Sequence, residues 1–140
     1  MRKLSFLIPV LALTFLISSC NNYGKKVKKE HIETYYKDGI TEAEAQKTAD
    51  MMFALDVNNA KTEKSFQLVK ENNTIHLRMV VIKDKIDKSM DINFLAISNI
   101  VSDSVFNGAP VDMDLTNNKF EVIRTLPYRK VTDEDFKKEN

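Results

Sequence analysis

The apolar run from Leu4 to Ile17, set between Met1-Arg2-Lys3 and Ser18-Ser19-Cys20, decides how much of this chain is available to a fold. The run is about fourteen residues long, whereas a helix needs about 20 apolar residues to cross a bilayer. Basic, apolar and small-residue regions follow in the order of a secretory leader, a segment removed from the mature protein. The expected boundaries are a leader over 1–19, a tether over 20–30, a single domain over 31–128 and a charged tail over 129–140. About 120 residues remain after the leader, enough for one hydrophobic core. Cys20 is the only cysteine, so that core must hold without a disulfide.

The ending Ile17-Ser18-Ser19-Cys20 resembles the lipobox of bacterial lipoproteins. That resemblance implies cleavage before Cys20 and lipidation of Cys20 with two or three acyl chains, palmitate among them. One chain holds a protein to a membrane only marginally, so several imply a permanent anchor. An acylated Cys20 leaves no thiol for a metal site or a nucleophile. The resemblance also implies the cell envelope. Asn21 is not the aspartate that retains lipoproteins at the inner membrane in enterobacteria. The acidic run that marks surface export in other bacteria is missing. The expectation is therefore a periplasm-facing position, with the outer membrane favoured. Asn21 to Glu30 is polar, has one glycine and shows no apolar period, which reads as a flexible linker. Its Lys25, Lys26, Lys28 and Lys29 either stay in water as a spacer or sit near anionic headgroups.

Loss of Arg2 and Lys3 with the leader takes the 21 basic residues to 19, against 20 acidic ones. Phosphate binding needs clustered positive charge, so a nucleic-acid partner is not expected.

His31 to Tyr36 is β-branched and aromatic, and stops at Lys37-Asp38-Gly39. Thr41 and Glu44 form a capping box, with Ile40 and Ala45 placed for a hydrophobic staple. The helix they start runs to about Leu55, with Ala45, Ala49, Met52 and Phe53 as its buried stripe. Asp56 to Lys64 reads as a loop. A hairpin follows, turning at Asn72-Asn73. Its second arm contains Met79-Val80-Val81-Ile82, apolar on both faces and therefore central. A second helix over Ser89 to Phe106 carries Met90, Phe94, Ile97, Val101 and Val105 on one face, and Asn107-Gly108 and Pro110 end it. A last hairpin pairs Val111–Leu115 with Phe120–Leu126 around Asn117-Asn118, and Thr132 to Asn140 reads as a tail that frays. The predicted fold class is α+β. The order is β-α-β-β-α-β-β, with two helices on one face of an antiparallel sheet as a two-layer sandwich. The repeated Asn-Asn turns suggest a duplicated helix-hairpin unit.

No cofactor and no catalytic residues are expected. His31 and His76 have no partners at metal-ligand spacing, and no Gly-x-Ser-x-Gly elbow exists. Asp112 and Asp114 share a strand face with Glu121 on the facing arm. A cation site there is conceivable, but a solvated hairpin face is the simpler reading. Five methionines fall on predicted buried faces, where core filling is their default role.

A two-layer sandwich leaves one sheet face without a helix. Gln67, His76, Arg78, Val80, Ile82, Asp112, Asp114, Glu121 and Ile123 are the candidate interaction residues on that side. Val80, Ile82 and Ile123 are apolar in polar surroundings, a pattern of binding surfaces. The tether, the tail or a second copy of the chain could equally cover this face. Gly39 to Ala45, followed by a helix and a hairpin, resembles the PepSY type of small periplasmic domain over about forty residues. It departs from that family at Ile75-His76-Leu77-Arg78-Met79, where a Tyr-rich strand is usual. The resemblance implies a module that modulates a protease or another envelope protein. The expected function is thus a non-catalytic interaction module in the envelope, with the membrane and an envelope protein as partners. The alternative is a carrier or sensor of a small apolar ligand in a cavity lined by Met52, Met79, Phe94 and Ile97.

Overall fold

The sheet starts inside the segment read as a linker. Lys25–Lys29 form strand β1, antiparallel to β2 (Ile32–Tyr36), with Lys25 opposite Tyr36 and Lys29 opposite Ile32. A lone Val27 among lysines gives no alternation to read in sequence. Its side chain nevertheless packs on the core, while Lys26 and Lys28 reach Glu33 at 2.7 and 3.8 Å. The structure is a computed structural model and describes residues 22–56 and 62–138; the leader, Cys20 and part of the predicted 56–64 loop lie outside the described residues.

The first helix, α1, spans Glu42–Leu55. Thr41 caps it as its sequence dictates: the Glu44 amide donates to Thr41 Oγ1 at 3.2 Å, and the Thr41 amide donates to Glu44 Oε2 at 2.8 Å. Such a cap satisfies amides that have no intrahelical partner. Ala45, Thr48, Ala49 and Met52 form the buried stripe, and Phe53 is half-buried. The hairpin β3 (Lys64–Glu71) and β4 (Thr74–Val80) turns at Asn72-Asn73. Both asparagines have positive φ, 51° and 63°, which is the backbone of a two-residue type I′ turn. A single-turn helix at Lys88–Met90 leads into α2 (Asp91–Val105), which ends as predicted at Asn107 and Gly108, both left-handed. The last strands are β5 (Val111–Thr116) and β6 (Val122–Leu126). The segment read as a fraying tail contains a short helix, α3 (Asp133–Lys137), capped by Thr132 and Asp135.

The result is an α+β domain with six strands and three helices. Strand order across the sheet is β1-β2-β3-β4-β5-β6, the order along the chain, and β4 is central as expected. The sheet is mixed rather than antiparallel. β2 and β3 are parallel, as are β4 and β5, because a helix in each connection returns the chain to the starting end. The hairpins at β1-β2, β3-β4 and β5-β6 are antiparallel. The two Asn-Asn turns are built differently. The Asn117 carboxamide accepts from the Lys119 and Glu121 amides, and Phe120, not an asparagine, takes the left-handed position.

One buried cluster joins the elements. Ile32, Leu68, Leu77, Met113 and Leu115 are fully buried on adjacent strands, against Ala45, Ala49 and Met52 of α1 and Leu95, Val101 and Val105 of α2. Each fully buried aliphatic side chain contributes about 1.5–3 kcal/mol. Among the described residues no helix is long and apolar enough to cross a membrane.

Candidate functional site

Alternation along the strands gives the sheet a second face, opposite the core cluster. One cross-strand row runs Tyr35, Gln67, Arg78, Asp114, Thr125. Its centre is Asp114, only 2% exposed. Thr125 Oγ1 donates to its carboxylate at 2.7 Å, and Arg78 Nε lies at 3.4 Å. Arg78 spends its other donors on Gln67 Oε1 at 3.2 Å and Glu71 Oε1 at 2.9 Å. His76 Nδ1 stands 3.2 Å from Asp114 Oδ2 but is not aligned for a hydrogen bond, so the contact is electrostatic when the ring is charged.

Four candidate residues, Gln67, His76, Arg78 and Asp114, are thus gathered, but largely with one another. A buried carboxylate needs such partners, because an unpaired one costs several kcal/mol (about 3–5 when one partner is removed). Asp112 shares the face and accepts from the Tyr128 amide at 2.8 Å, while Glu121 lies in the β5-β6 turn, bonded to Asn117. Asp112, Asp114 and Glu121 do not converge, and among the described residues no group of three or more His, Cys, Asp or Glu could hold a metal ion.

Part of this face carries a lid. Tyr23, Tyr35 and Phe120 meet edge-on, with ring centroids 5.2 to 5.7 Å apart. Gln67 Nε2 donates to the Tyr23 carbonyl at 2.9 Å, which fixes the segment before β1 against the sheet. Beside the lid, Glu33 is buried. Burial pushes its carboxyl up, but hydrogen bonds from Lys26 and Tyr35 and the charge of Lys28 outweigh that and hold it below the usual carboxylate range. Tyr35 in turn is pushed up by burial and by Glu33.

Val80, Ile82 and Ile123 come together elsewhere. With Val81, Lys83, Asn117 and Asn118 they line an open groove of about 530 Å³ where β4 ends and the β5-β6 turn begins. Ile82 is 61% exposed.

Sequence reasoning missed a third cluster, because its members are far apart in the chain. His31 Nε2 and Asp56 Oδ2 are 2.7 Å apart, and Lys64 Nζ donates to Asp56 Oδ1 at 2.6 Å. The Lys64 hydrogen bond, and then that of His31, hold Asp56 below the usual carboxylate range against the opposing effect of burial. This trio ties the start of β2, the end of α1 and the start of β3. Asp56 and Lys64 also stand at an apolar hollow of about 130 Å³ lined by Ile32, Met52, Leu55, Phe66, Met79 and Ile97. Met52, Met79 and Ile97 are three of the four residues expected around a ligand cavity. Phe94 is buried in the core and does not line it.

The AF_1994_N family model, described as a family N-terminal domain, matches residues 26–127. The chain belongs to this family. The matched span runs from β1 to just beyond β6, so the AF_1994_N unit is the six-stranded sheet with α1 and α2, while Tyr23 and α3 fall outside it. No curated protein and no solved structure matches the chain.

Proposed function

We propose that the chain is a bacterial lipoprotein, acylated on Cys20, whose domain is a non-catalytic module that docks another envelope protein. The observation that carries the docking reading is the groove of Val80, Ile82 and Ile123. Three apolar side chains expected to face outward lie together there, rimmed by Lys83, Asn117 and Asn118. Clustered exposed apolar surface with a polar rim is typical of protein contacts. The strand registers put the Val80 end of β4 level with the Lys29 end of β1, the opposite end of that strand from Asn22.

The leader and its Ser18-Ser19-Cys20 ending support the anchor. A periplasm-facing position on the outer membrane follows from that reading. The self-paired polar row supports a non-catalytic role, since its carboxylate and guanidinium are already committed. A two-layer sandwich underlies the whole reading, with α1 and α2 on one sheet face. The shared core cluster supports it, with Met52 of α1 and Ile97 of α2 lining one hollow against Ile32, Phe66 and Met79 of the same sheet face.

In-cell photocrosslinking from Ile82 and Ile123 in the lipidated protein tests the docking. One dominant protein adduct from either position is the expected result. Absence of adducts from both, with the domain folded and anchored, overturns it. Cys20→Ala should release the protein from the membrane fraction.

The hollow beside Asp56 favours a second reading, a carrier or sensor of a small apolar ligand. At about 130 Å³ it is near the size of an engineered cavity that takes benzene and below the usual range for ligand pockets. Native mass spectrometry that finds a small bound molecule, lost on Met52→Phe, would favour it.

A further inference from the structure

We infer that the corner of the domain next to Cys20 is a docking surface for anionic phospholipid headgroups, an inference that rests on acylation of Cys20. Packed structure begins two residues after that cysteine. The Gly24 amide donates to Asn22 Oδ1 at 3.1 Å, and Tyr23 is held by Gln67, Tyr35 and Phe120. Gly24 has φ +92°, and a Cβ there would lie 2.2 Å from the Tyr36 carbonyl oxygen, so the chain is pressed against β2 at this point. Two residues of extended chain reach at most about 7 Å. The domain therefore has almost no spacer, which keeps the corner holding Asn22 close to the headgroups and lets its charge decide whether it docks.

The charge of that corner fits such a contact. A hollow of about 450 Å³ opens beside Asn22, lined by Gly24, Lys25, Tyr36, Lys37, Asp38 and Ile40. Lys70 packs over the adjacent Gly39, its Cβ 3.2 Å from where a Gly39 Cβ would stand. Lys25, Lys37 and Lys70 are exposed, and among the described residues no carboxylate is in ion-pair contact with them. The other lysines of β1 differ. Lys26 and Lys28 are tied to Glu33 and Glu63, and Lys29 lies over the Phe53 ring. The acidic groups at this corner are Asp38 and the first turn of α1, where Glu44 is committed to the Thr41 amide. Each basic side chain near an anionic surface strengthens the contact about fivefold, so three act together even though the mature chain is nearly neutral overall.

The test uses the acylated protein in phosphatidylglycerol-containing vesicles. Fluorophores are placed at Asp38→Cys or, beside β6 at the opposite edge of the sheet from β1, at Lys88→Cys, and quenched by headgroup spin-labelled lipid. Acylated Cys20 does not react with the label, and mass spectrometry reports the acyl chains directly. Strong quenching at position 38, little at 88, and a more than tenfold smaller docked population for Lys25→Glu/Lys37→Glu/Lys70→Glu is the expected result. Equal quenching at both positions, or quenching at 38 that ignores charge reversal, overturns the inference while leaving the anchor intact. A mature protein without acyl chains overturns the anchor and this inference with it. The three lysines are exposed, so the reversal variant should keep the fold, which circular dichroism checks.

Discussion

The two faces of this sheet are held by different physics. The core face is held by non-directional burial: Leu68, Leu77 and Met113 fill space against α1 and α2, and no polar group on them needs a partner. The opposite face is held by direction. Asp114 is as buried as most of the core, yet it depends on Thr125, Arg78 and His76 being where they are. The comparison teaches that equal burial does not mean equal tolerance. A core position should accept volume-conserving exchange, whereas the polar row should accept only replacements that keep every donor supplied.

The sharpest way to break the comparison is to remove volume from one face and a partner from the other. Leu77→Ala, fully buried on the central strand, should cost about 4 kcal/mol in urea denaturation, and Leu77→Met should cost about 1. Asp114→Ala should cost about 3 kcal/mol, because Arg78 loses a charged partner on a half-buried side chain. Its mark would be non-additivity with Thr125→Val in a double-mutant cycle, which two core substitutions far apart would not show. Phe120→Ala should cost about 2 kcal/mol. It should also raise amide exchange at Tyr23 and Gly24, which the lid holds, without changing exchange in α2.

The smallest effect is one of pH, and it is shared by the two faces. The folded-state pKa of Glu33 is depressed, so its contribution is present above the ordinary carboxylate value near 4.5 and is lost as pH falls through the depressed one. Asp56, near the core-side hollow, has the same sign. Glu33→Gln should flatten the acid limb of a stability-versus-pH curve, and Glu33→Gln/Asp56→Asn should flatten it further. An unchanged acid limb in both variants would count against the Lys26 and Lys64 pairings.

What could be read from sequence follows the same division. The Thr41-Glu44 box, the Phe94-Val101-Val105 stripe, the Asn107-Gly108 stop and the alternation of Ile75, Leu77 and Met79 are local signals, and each element stands where these put it. β1 was not legible because an edge strand among lysines has one inward side chain, Val27, and one is no pattern. α3 was hidden in a run of charge. Parallel pairing follows from where the connecting helices return the chain, which no single segment encodes. The partners of Asp114 and Asp56 lie on other strands or at the far end of a helix. A reading of neighbours along the chain finds the carboxylates and not what meets them. The outward set illustrates both outcomes: Val80, Ile82 and Ile123 were found by alternation and stand together, while Glu121 faces its own turn.

Strand order across the sheet equals strand order along the chain. A polypeptide that emerges gradually, N-terminus first, therefore always finds the neighbour of its newest strand already delivered, and assembly can proceed like a zip without any strand waiting for one still to come. The exception is the aromatic lid. Tyr23 arrives first and Phe120 almost last, so the earliest part of the chain is fastened by the latest, and that contact certifies that the sheet is finished.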